Sequence, residues 1–142
     1  MQRGILFVFG LVSALWSGSA SSATPGAGRF DGRWGVILVC PQAPDGALSW
    51  TVKFTANVKE AILHGEYGLA GRPGWLSLDG RIQPDGAAHL EARGVTGGAK
   101  YNIDQTAQGF PTRYDVTAHF DASRGTGNWV TTRTCDFTFT RQ

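Results

Sequence analysis

The residues of this chain whose types could do chemistry are two cysteines, three histidines and a scatter of carboxylates. Cys40 and Cys135 are 95 positions apart, so they form neither a C-x-x-C redox motif nor half of a zinc ribbon. His64, His89 and His119 fall into no HxH or HExxH spacing, and no metal site is expected. Glu60, Glu66, Asp79, Glu91, Asp115, Asp121 and Asp136 are dispersed. Glycoside hydrolysis needs two carboxyl groups held about 5–9.5 Å apart, and nothing in the spacing selects such a pair. These acids are expected to be solvated, or to offset Arg81, Arg93, Arg113 and Arg133 on an outer face. Asp31, Asp45 and Asp85 each precede a glycine and read as turn residues. Ser77 lies between two leucines, which is no nucleophile elbow, and no phosphate-cradling glycine motif occurs. No catalytic residue and no cofactor is expected, and the chain is read as a non-enzyme.

A second kind of chemistry is offered by aromatic residues in glycine-rich connections. Tyr67, Trp75, Tyr101 and Phe110 lie in or beside the segments 65–74, 94–100 and 107–111. Loops on a rigid scaffold commonly carry binding function. The four residues are expected either to rim an opening for a small apolar molecule, a glycan or a partner protein, or simply to cap the end of the fold.

The elements that must position them repeat with a period of two. Trp34, Val36, Leu38 and Cys40 share a face of the first strand, and Ile37 and Val39 make its other face apolar, as in a strand covered on both sides. Trp50, Val52, Phe54, Ala56 and Val58 alternate with polar residues in the second. A short third strand is predicted over 61–64 and a fourth over 75–83, with Gly80 marking a bulge or bend. Pro84-Asp85-Gly86 turns the chain into a fifth strand over 87–93. A short sixth is placed at 101–104 and a seventh at 112–121, where Tyr114, Val116, Ala118 and Phe120 point inward. Residues 122–127 read as a turn. The last strand is placed over 129–140, with Cys135, Phe137 and Phe139 on one face. No segment shows a 3.6-residue apolar stripe. The expected fold class is therefore all-β, an antiparallel up-and-down meander of about eight strands closed into a barrel, with a β-sandwich as the alternative.

Residues 1–23 have the order of a secretory signal: Arg3, an uncharged apolar run, then small residues ending at Ala23. The apolar run is too short to span a membrane. Residues 24–29 read as a disordered lead-in and 30–142 as one domain. Losing Arg3 from the 13 basic residues leaves 12 against 11 acidic ones, a net charge of +1 with histidines neutral. That balance supplies no basic face for nucleic acid. Export, to the periplasm or beyond, places both cysteines in an oxidising compartment, where one disulfide is expected. Cys40 ends the first strand and Cys135 lies in the last, so the bridge would lock the seam where a barrel closes.

Gly32-Arg33-Trp34, opening the first strand, resembles the G-x-W signature of calycins, the group that holds lipocalins and avidin-like proteins. Arg141, just after the last strand, is similar to the basic residue that packs across that tryptophan. The resemblance implies a barrel whose base is plugged by Trp34 under Arg141. The wider pattern also resembles secreted bacterial proteins of uncharacterised function. The expected function is a secreted, non-catalytic binding module. An inhibitor or host-interaction protein working through its loops, and a structural envelope protein without ligand, are the alternatives. A cavity of about 300 Å³ or more would favour the first.

Overall fold

The computed structural model describes residues 18–19 and 28–142. The expected signal segment, apart from 18–19, and residues 24–27 of the lead-in lie outside the described residues. Gly28 and Arg29, the end of the lead-in, form a turn into Phe30, closed by Asp31 N–H donating to the Gly28 carbonyl.

Eight antiparallel strands follow in simple meander order. They are β1 (Gly32–Cys40), β2 (Trp50–Lys59), β3 (Ile62–Tyr67), β4 (Leu76–Ile82), β5 (Ala87–Val95), β6 (Pro111–Phe120), β7 (Arg124–Val130) and β8 (Thr134–Arg141). Each pairs with its sequence neighbours, and β1 pairs with β8, so the sheet closes into a barrel. Closure leaves no unpaired edge. The inward row reads Trp34, Val36, Leu38 and Cys40 in β1, and Ala88, Leu90 and Ala92 in β5, all buried as the alternation requires. The outward row of β2, including Thr51, Lys53, Asn57 and Lys59, is exposed and polar. Among the described residues no helix is long and apolar enough to cross a membrane.

The strand count agrees with the sequence reading, but two strands differ in place. Residues 101–104 are not a strand: Ala99–Tyr101 and Ile103–Gln105 are short 3-10 turns. The Asn102 side chain donates to the Gly97 and Thr106 carbonyls, and such local bonds compete with a sheet ladder. Instead, the expected last strand over 129–140 is divided: residues 129–130 end a separate β7, which begins inside the predicted turn. Thr131 to Arg133 then make a three-residue loop between β7 and β8. Gly125 and Gly127 of β7 mimic a turn signal but are strand residues. A Cβ on Gly125 would lie 2.7 Å from the Phe120 ring, and one on Gly127 would lie 2.7 Å from the Ala118 Cβ. These glycines make room for the side chains of β6.

Three smaller expectations are corrected. Ile37 and Val39 are exposed, so β1 is covered on its inner face alone. Gly80 is no bulge: it pairs regularly with Leu63 and Leu90, and its lack of a side chain admits the close approach of β5. The third strand runs on to Tyr67, into a segment read as loop. The tight turn before β3 has positive φ at Glu60 and Ala61, as a type I′ hairpin demands, without glycine. The Asp31 carboxylate stabilises it by accepting the Glu60 and Ala61 N–H groups at 2.9 and 3.2 Å.

Candidate functional site

The two ends of the barrel are built from the same residue types and come out differently. At the base, Trp34 is fully buried and its indole donates to the Phe30 carbonyl at 2.8 Å. Its ring meets Phe120 edge-on at 5.3 Å, and Phe120 packs on Phe139 at 4.7 Å. The Arg141 guanidinium lies 4.9 Å from the Trp34 ring centroid. It donates to the carbonyls of Arg29, Asp31 and Ala122, each at 2.7 Å. This end is solid.

The seam beside it is fastened at the opposite end. Cys40 and Cys135 form a disulfide between β1 and β8, with both residues buried. Such a bond fits an oxidising, extracytoplasmic setting. The ladder partners of the two cysteines are Trp50 and Trp129, so the bridge is flanked by two indoles.

Beyond the disulfide the barrel opens into a cavity of about 660 Å³. Its inner wall is aromatic. Tyr114 stacks on Trp129 at 4.5 Å, Trp50 lies 6.4 Å from Trp129, and Phe137 meets Trp129 edge-on from the core side. Its outer wall includes Tyr67, Trp75, Tyr101 and Phe110, the four residues singled out in the sequence, which the fold brings to one opening. Tyr67 and Phe110 are exposed, while Trp75 and Tyr101 are half-buried. The Trp75 indole N–H is buried and has no hydrogen-bond partner. An unpaired buried donor costs about 1–3 kcal/mol.

Arg133 is the residue that sequence reasoning misplaced. The sequence reading places it on the outer face with the other arginines, yet it is only 9% exposed and lines the cavity. Its guanidinium lies 5.9 Å from the Trp50 ring centroid and ties the β1–β2 and β5–β6 connections together through main-chain carbonyls. Burial lowers its pKa from the ordinary arginine value. The missed signal was parity: Arg133 shares the odd register of Cys135, Phe137 and Phe139, and so points inward. Trp50, Trp129 and Tyr114 were read as inward or strand residues, not as a site. Burial raises the Tyr114 pKa from the ordinary tyrosine value.

The loops at this mouth are held by a carboxylate. Asp45 accepts the Asp104 N–H at 2.6 Å and the Ala47 N–H at 3.1 Å, and these bonds lower its pKa. The remaining acids lie where the sequence put them. Glu91 bonds Arg113 at 2.7 Å and also Arg93, which hold its carboxyl below the usual range. His64 contacts Asp79, and Glu66 at 3.6 Å, all three exposed on the outer surface. His89 and His119 are likewise outward and exposed. Among the described residues no group of histidines, cysteines and carboxylates could hold a metal ion.

The architecture, an eight-stranded closed antiparallel barrel with an arginine over the first-strand tryptophan, is consistent with a calycin-like barrel. No family model, no curated protein and no solved structure matches the chain.

Proposed function

We propose that this protein is a non-catalytic, calycin-like binding module that takes a small, flat, largely apolar molecule at the open end of its barrel. The observation that carries the reading is the cavity of about 660 Å³ walled by Trp50, Trp129, Tyr114, Trp75 and Tyr101. Ligand sites are typically apolar cavities of about 300–1,000 Å³ with few polar groups. Stacked rings offer contact area that no filled barrel of this size retains. Asp104 is the one carboxylate in the lining, and no histidine joins it, so the wall supplies no acid–base pair.

N-phenyl-1-naphthylamine, an uncharged dye whose emission rises in apolar surroundings, tests the reading. The chain is expected to bind about one dye per molecule. Thr106→Trp, on the exposed lip of the cavity, is expected to weaken binding several-fold with the melting temperature unchanged. No saturable binding, or binding indifferent to that substitution, would defeat the proposal. A second reading, docking of a partner protein on the mouth, is favoured by the exposed Leu48, Leu69, Phe110 and Val130. Under that reading the dye finds no saturable site.

A further inference from the structure

Arg133 is the feature of the mouth that an uncharged ligand leaves unexplained. Nη1 donates to the Pro41 and Leu48 carbonyls at 3.1 Å, and Nη2 to the Tyr101 carbonyl at 2.7 Å. All three acceptors are neutral. A guanidinium carries five N–H donors, so two remain beyond these three bonds. Among the described residues no carboxylate forms an ion pair with it. Asp45 is the acid whose field reaches it, and that carboxylate is engaged by the Ala47 and Asp104 N–H groups. The other charged groups of the lining are Asp104, which is exposed, and Arg113, which is held by Glu91.

Seating an apolar body against Trp50 and Trp129 would strip the remaining water from this cation. Burying a charge without a counter-charge is costly, and an oxyanion placed on it offsets the cost with short, charge-assisted bonds. Tyr114, whose hydroxyl is a further donor, is in the same lining.

We propose that the ligand is an amphipathic anion, with a flat apolar body against Trp50, Trp129 and Tyr114 and a carboxylate-like oxyanion on Arg133. This rests on the reading of the mouth as a small-molecule site and adds the charge of its ligand.

The test compares two dyes that differ by one group: uncharged N-phenyl-1-naphthylamine and 1-anilinonaphthalene-8-sulfonate. The wild-type chain is expected to bind the sulfonate about tenfold tighter, the size of one charge-assisted contact. The preference should persist in about 0.5 M salt, because a buried pair is screened little. Arg133→Met should bring the ratio of the two affinities close to one, with the uncharged dye moved less than about threefold, and Arg133→Lys should retain part of it. If Arg133 only ties the loops, both dyes weaken together and the ratio stands, which overturns the inference. Equal wild-type affinities, or a preference that vanishes in salt, overturn it as well, and both readouts hold even if Arg133→Met fails to fold. Binding of neither dye would remove the site itself, a different failure from binding without preference.

Discussion

The barrel carries two tryptophan–arginine pairs, one at each end, and their difference separates scaffold from site. Trp34 and Arg141 close the base; Trp50 and Arg133 stand at the mouth. In both pairs the guanidinium spends three hydrogen bonds on main-chain carbonyls. At the base the indole is fully buried, its N–H is satisfied, and phenylalanines fill the space behind it. At the mouth the indole is half-exposed over an open cavity. The same chemical pair is a plug where the interior is full and the wall of an open cavity where it is not. What decides between them is the side-chain volume behind the ring.

Breaking the seam should produce the largest effect and spare neither end. Replacing Cys40 and Cys135 with serine frees a loop of about 95 residues, which the chain-entropy account puts at about 4–5 kcal/mol. Chemical denaturation of the oxidised and serine forms measures it. Trp34→Ala comes next. Truncating a fully buried tryptophan typically costs about 3–5 kcal/mol, and the surviving folded fraction should still bind the naphthylamine dye. Trp50→Ala should reverse that profile. Its ring is partly exposed, so the stability loss is expected to be about half that at Trp34, whereas dye affinity should fall about tenfold. Equal binding losses at Trp34 and Trp50 would erase the distinction between plug and wall.

The smallest expected effect is one of pH. The folded-state pKa of Asp45 is depressed, first by the Asp104 N–H and then by the Ala47 N–H. A depressed carboxyl contributes stability that is complete above its unfolded pKa and lost as pH falls through the folded one. The mouth loops should therefore loosen in acid, below the ordinary aspartate range. Asp121, which caps the turn into β7 through the Ser123 and Arg124 N–H groups, behaves alike at the base. Amide exchange of residues 99–106 in acid is the measurement, and Asp45→Asn should flatten its pH dependence.

The fold was legible in the sequence wherever alternation was uninterrupted. Strands β1, β2, β4, β5 and β6 are legible from their inward rows, and the disulfide from a cysteine pair behind an export signal, with the terminal strands saying what it locks. Reading failed where composition imitated something else. Gly125 and Gly127 looked like a turn because sequence does not show that the Phe120 ring needs the space of a missing Cβ. Residues 101–104 read as a strand, but Asn102 bonds the Gly97 and Thr106 carbonyls, and Asp45, some sixty positions upstream, holds the Asp104 N–H, a contact invisible locally. Tyr67, Trp75, Tyr101 and Phe110 stand out by their loop positions, and the fold brings them into one cavity lining. Arg133 does not stand out, since its charge argues for the outer face while its register is inward.

The claim that one end is filled and the other receptive is tested most directly by the indole N–H resonances of the isotope-labelled chain. Trp34, Trp50, Trp75 and Trp129 are the tryptophans of the barrel. On titration with the naphthylamine dye, the signals of Trp50, Trp75 and Trp129 are predicted to shift and that of Trp34 to stay in place. Four unmoved resonances, or a Trp34 shift as large as the others, would contradict it.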